Sequence, residues 1–159
     1  MLSLAYHITW TAYGTWLHGD SRGWIETGAP CIMPPDESRR LNALHNLTEL
    51  IVEFSAEQRA LIEQTIQRHC EIRKWKLHTC NARSNHVHVV VTADNAKPES
   101  VMDQFKLWCS TKLSDAAGLP SGGRAKKAGR RKWFTEHGST KWINEEDYLH
   151  RAIDYVNNQ

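Results

Sequence analysis

The stretch from Lys76 to Ala93 constrains this chain most. Two runs, Lys76 to Ala82 and His86 to Ala93, the second rich in β-branched residues, flank a short turn through Arg83-Ser84-Asn85. This pattern predicts two antiparallel strands. Side chains alternate along a strand, so His86 and His88 point to one face of the sheet and Val87 and Val89 to the other. The valine face needs a helical cover. The histidine face carries two imidazoles about 7 Å apart at their backbones, close enough to converge on one ligand.

The remaining elements fall around this pair. Tyr6 to Tyr13 reads as a first strand, and Gly14 to about Glu53 as a long insertion with a short helix near Arg39 to Leu50. Ser55 with Gln58 makes a capping-box pattern that opens a helix, whose buried face is Leu61, Ile62, Thr65, Ile66, His69 and Ile72. Pro98 suits the first turn of the next helix, with Val101, Met102, Phe105, Trp108, Cys109 and Leu113 as its apolar stripe. Gly118 ends it. Lys132 to Ile143 is expected to form a hairpin centred on Gly138-Ser139. Asn144 can cap a last helix, whose first turn is acidic through Glu145, Glu146 and Asp147. The order strand, helix, strand, strand, helix, strand pair, helix predicts an α+β fold. It suits a ferredoxin-like or RRM-like antiparallel sheet with helices packed on one face and His-x-His on a central strand. One domain over residues 1–159 accommodates all of it, with a long insertion at about 14–53 and a basic loop at about 118–132.

Composition narrows the function classes. No apolar run approaches the roughly 20 residues a membrane helix needs, and the start lacks a secretory pattern, so a cytoplasmic protein without a membrane partner is expected. Cys31, Cys70, Cys80 and Cys109 are widely spaced, which argues against a zinc ribbon or a disulfide framework. The net charge of +2 is modest, but it is local. Arg124, Lys126, Lys127, Arg130, Arg131 and Lys132 crowd one Gly-rich stretch without an acid among them, and the rest of the chain is net acidic. Such a loop can track a phosphate backbone or can simply be solvated. Trp16 and Trp24 are candidate platforms for unpaired bases.

Two segments carry chemistry. His86 and His88 can hold one divalent metal, although the same spacing also occurs on solvated sheet faces. On the last helix Tyr148, Ala152, Tyr155 and Gln159 share one stripe, beside an apolar stripe of Leu149, Ile153 and Val156. A tyrosine there is often a core-edge residue. Gln159, one turn beyond Tyr155, offers a neutral oxygen that could join the two imidazoles. A phenol with a pKa near ~10 ionises far more readily than an aliphatic alcohol. As a nucleophile it forms a phosphodiester that keeps the energy of the broken bond, which suits strand transfer better than hydrolysis.

These residues resemble the single-tyrosine transposases of the HUH superfamily, which include insertion-sequence and REP-associated tyrosine transposases. His86-Val87-His88 matches the defining His-hydrophobic-His motif, and Tyr155-Val156-Asn157-Asn158-Gln159 is similar to the nucleophile segment. Tyr6 to Trp10, Tyr13 to Leu17 with Gly19-Asp20, and Gly138 to Trp142 extend the likeness along most of the chain. The resemblance implies Tyr155 as nucleophile and His86, His88 and Gln159 as ligands of Mg2+ or Mn2+. It further implies a 5′-phosphotyrosine intermediate, a free 3′-hydroxyl, hairpin-bearing single-stranded DNA and a homodimer. Tyr148 is the fallback nucleophile. Lys106 and Lys112 are expected near the DNA, together with the basic loop. Two alternatives stand beside this reading. One is a catalytically silent hairpin-binding protein derived from a transposase. The other is a small His-x-His metallohydrolase, weakened because Val90 stands where a third ligand would follow.

Overall fold

The computed structural model describes residues 3–26, 28, 31–121 and 129–159. In chain order its elements are β1 (Ala5–Thr11), α1 (Glu37–His45), α2 (Ala56–Arg73), β2 (Lys76–Ala82), β3 (His86–Thr92), α3 (Pro98–Ala116), β4 (Ser139–Ile143) and α4 (Glu146–Asn157). The strands form one antiparallel sheet in the order β2-β3-β1-β4, so the His-x-His strand is central, as expected.

Alternation along the two central strands divides the sheet into unlike faces. Tyr6, Ile8 and Trp10 of β1 and Val87, Val89 and Val91 of β3 join Ile62 and Ile66 of α2 and Val101, Phe105 and Cys109 of α3 in the main core. Full burial of each such side chain contributes roughly 1.5–3 kcal/mol, so this layer dominates stability. The opposite face carries His7, Thr9, His86 and His88, together with a smaller apolar cluster of Ala5, Val90, Ile143, Ala152 and Val156. Here α4 docks. Of the described helices, α2 and α3 pack on the first face and α4 crosses the other. Its apolar stripe, centred on Ala152 and Val156, has its counterpart in Val90, the one valine of β3 that shares the histidine face.

Local signals explain most boundaries. Ser55 caps α2 with the full reciprocal box: Gln58 N–H donates to Ser55 Oγ, and Ser55 N–H to Gln58 Oε1. Pro98 occupies the first turn of α3. Two expected core residues instead face solvent, Ile72 near the end of α2 and Trp108 on α3, while Cys70 takes the buried place on the last turn of α2. The N-cap of α4 is Glu145 rather than Asn144.

The hairpin expected over Lys132 to Ile143 does not form. β4 pairs with β1, and the residues before it run beside the end of β1, through a bridge between Phe134 and Ala12 and the Thr135 N–H to Thr11 carbonyl bond. Gly138 is not a hairpin turn but a point of close approach. A Cβ there would stand 2.6 Å from Met102 Sδ and 2.6 Å from the Thr9 carbonyl oxygen.

Between β1 and α2, the chain is pinned by the Val52 N–H to Tyr13 carbonyl and Phe54 N–H to Ser84 carbonyl bonds. Trp24 in this segment is 2% exposed, between the His18 ring and the Arg39 guanidinium, and so cannot stack on a base. Trp16 is 42% exposed, with Arg22 over its ring. No described helix is long and apolar enough to cross a membrane.

Candidate active site

The polar face of the sheet is laid out in rows by strand register. Asn81, His88, Thr9 and Ser139 are successive partners across β2, β3, β1 and β4. The next row is Thr79, Val90, His7 and Lys141. α4 covers the β2 and β3 side of both rows, held by Asn81 Nδ2 donating to the Val156 carbonyl at 2.9 Å and by the Thr79 hydroxyl donating to Asn157 Oδ1. The β1 and β4 side stays open. It forms the floor of a cleft of about 530 Å³, walled by Tyr148, Arg151 and Tyr155 of α4.

The two motif histidines stand together, with ring centroids 4.8 Å apart and planes nearly perpendicular. His88 is 6% exposed. Its Nδ1 lies 2.9 Å from Thr9 Oγ1 and 3.4 Å from His7 Nε2. His86 donates Nδ1–H to Asn85 Oδ1 at 2.7 Å. Asn85 Oδ1 can only accept, so the neutral His86 ring keeps its Nε2 lone pair for a ligand. The tautomer of His88 that donates Nδ1–H to Thr9 Oγ1 does the same, and neither Nε2 makes a hydrogen bond among the described residues. The environment also keeps these rings neutral. Burial, with lesser contributions from His86 and His7, pushes His88 down to about 4. Burial and then Arg83 lower His86, and burial and then Lys141 lower His7. Neutral imidazole is the metal-binding form, so the pair fits a divalent cation.

Tyr155 reaches this cluster from the helix above. Its ring centroid is 5.7 Å from that of His88 and 6.1 Å from that of His7, edge-on in both cases, and the residue is 53% exposed. Tyr148 lines the same cleft farther along α4, beneath the Arg151 guanidinium. The structure thus sets His88 against both His86 and Tyr155, while His86 itself is not among the described residues that line the cleft. Gln159 stands at the end of α4, where its side-chain amide donates to the Tyr155 carbonyl at 3.1 Å and makes no hydrogen bond to either histidine. Among the described residues, no three His, Cys, Asp or Glu side chains could hold a metal ion. A third protein donor would therefore be an amide or hydroxyl oxygen, and the Gln159 oxygen is of that type.

His7 and Thr9 were not singled out in the sequence, yet they border His88 and the cleft. The signal was there in the alternation of Tyr6-His7-Ile8-Thr9-Trp10, which sends both polar residues to the face opposite the core. The basic residues expected near DNA are scattered. Arg131 pairs with Glu49 at 2.6 Å, and Lys106 Nζ donates to the carbonyls of Thr135 and His137, its pKa lowered chiefly by burial. Those two cations pin the segment before β4. Lys112 and Arg130 are exposed, whereas Arg124, Lys126 and Lys127 lie outside the described residues.

The profile of the family described as Transposase IS200 like matches residues 52–159, the span that carries both histidines, Tyr155 and Gln159. The chain belongs to this family. No curated protein matches it significantly. Among solved structures, the fold of this IS200-like transposase family member is similar to that of a REP-associated tyrosine transposase bound to a REP hairpin. The TM-score is 0.53 at 12% identity, over 98% of this chain and 66% of that one. The α+β sheet and its helices are thus those of a tyrosine transposase of the HUH superfamily.

Proposed function

We propose that this chain cleaves and rejoins single-stranded DNA through Tyr155, on ends that carry a hairpin. The observation that supports this most directly is the Tyr155 ring set 5.7 Å from that of His88 at the wall of an open cleft. The phenol oxygen attacks the scissile phosphorus, and the bond from phosphorus to the 3′-oxygen breaks. The departing 3′-oxygen takes up a proton and the phenol loses one. The 5′-phosphate stays on Tyr155 until a free 3′-hydroxyl displaces it, which regenerates the phenol. Within this chain the Tyr155 ring lies beside those of His7 and His88, and the homodimer that the resemblance implies would carry two such clefts.

His86 and His88, with Gln159 as the oxygen donor, would hold Mg2+ or Mn2+. A divalent cation bound there would supply Lewis-acid polarisation of the scissile phosphate. Asn85 fixes the tautomer of His86 that leaves its Nε2 free, and Nδ1–H of His88 donating to Thr9 would leave the second Nε2 free as well. The exposed, edge-on ring of Tyr155 lets the phenol meet a strand arriving over β1 and β4.

The test mixes the protein with Mn2+ and labelled single-stranded hairpin DNA from the flanks of its own gene, then resolves covalent complexes on a denaturing gel. Tyr155→Phe is expected to abolish an adduct that Tyr148→Phe leaves intact. Loss only with Tyr148→Phe would move the nucleophile two turns along α4. Tight binding without any adduct would favour the hairpin-binding alternative.

A further inference from the structure

The cleft beside Tyr155 has an electrostatic character that its histidines do not supply. Lys141 projects from edge strand β4 on the row of His7, and Arg151 projects from α4 one turn before Tyr155. Both line the cleft, and none of the described residues lining it is acidic. Neither forms an ion pair among the described residues. Arg151 is steered by the Tyr148 ring, 6.0 Å from its guanidinium carbon. The contrast with Arg131 and Lys106 is direct, since those charges are already satisfied by Glu49 and by two carbonyls. Two exposed cations that converge on one groove without a counter-charge repel each other and are stabilised by an anion bound between them.

We propose that Lys141 and Arg151 form a phosphodiester-binding subsite that holds the backbone of a single strand across β1 and β4, facing Tyr155. This rests on the Tyr155 reading for its purpose but not for its test. Ser139 and Thr9 add hydroxyls along the same floor, and they can donate to non-bridging oxygens. The subsite recognises charge and spacing rather than base identity, so it positions the strand and leaves sequence choice to other contacts.

Binding without chemistry separates the two ideas. In a Tyr155→Phe background with EDTA present, fluorescence anisotropy would follow oligothymidylate of about 12 nucleotides over a series of salt concentrations. Each lost phosphate contact on a single strand lowers the slope of log affinity against log salt by about 0.7. Lys141→Gln and Arg151→Gln should each lower the slope by about that amount, and the double variant by about 1.4. Arg68→Gln, which removes an equal charge from α2 on the far side of the sheet, should leave the slope unchanged. All of these side chains are exposed, and unchanged melting temperatures would verify folding. Equal slopes for the Lys141, Arg151 and Arg68 variants would overturn the subsite, as would failure of the parent protein to bind at low salt. Failure of the Tyr155 reading would show instead in the adduct assay, with these slopes intact.

Discussion

Val156→Ala tests whether α4 is held by its own small core. Val156 is fully buried in the cluster with Ala5, Val90, Ile143 and Ala152, on the face away from α2 and α3. The substitution deletes two methyl groups, worth about 1.6 kcal/mol by transfer, and the cavity left behind adds several tenths, for a total of about 2 kcal/mol. Nothing in the main core is touched. Most of that loss should therefore fall on docking of α4, whose undocked population would rise by a factor of about 30. Native-state hydrogen exchange reads this directly. Amides of α4 should lose protection by that factor in Val156→Ala, while amides of β3 and α3 keep theirs. Adduct formation should fall as well, because Tyr155 leaves the histidines when the helix lifts. A uniform loss of protection across all elements would refute the reasoning, since it would mean that α4 and the main core open together.

Two further outcomes follow from the geometry. Gly138→Ala should destabilise the protein by about 1–3 kcal/mol in urea unfolding, because the new Cβ meets the Thr9 carbonyl as well as Met102 Sδ. An unchanged urea midpoint would mean that β4 can shift without cost. His7, His86 and His88 all hold pKa values below the usual 6.5, that of His88 at about 4, so the unfolded chain binds protons that the folded chain refuses. Their contribution is therefore intact above pH 6.5 and is lost as pH falls towards 4. Thermal melts between those values should show this loss, and His88→Gln should flatten it.

How much of this was legible in the sequence depended on how local each signal was. The alternation around His86 and His88 gave β2 and β3 and the face on which the histidines stand. The Ser55 and Gln58 box gave the start of α2. Tertiary partners were less accessible. A lone histidine in β1 looks idle until register places His7 beside the row of His88. The basic run before β4 looks uniform until Glu49, more than eighty residues upstream, pairs with Arg131. Gly138 carried a turn signal and turned out to be a packing constraint, because glycine answers both needs and only the third dimension distinguishes them. The apolar stripe of α4 announced a docked helix without saying which face of the sheet would receive it.

The strand order has a kinetic consequence. β2 and β3 close a loop of a few residues, whereas β1 and β4 join the two ends of the fold; the Ser3 hydroxyl donates to the Ile143 carbonyl across 140 residues of sequence. Long loops cost more entropy to close and repay it later, so the local pair can form well before β4 is added. The histidines therefore belong to the early part of the fold and the Lys141 side of the cleft to the late part. A chain caught part-way holds imidazoles on a strand with no groove before them, and its ability to grip a strand arrives only with the last long-range contact.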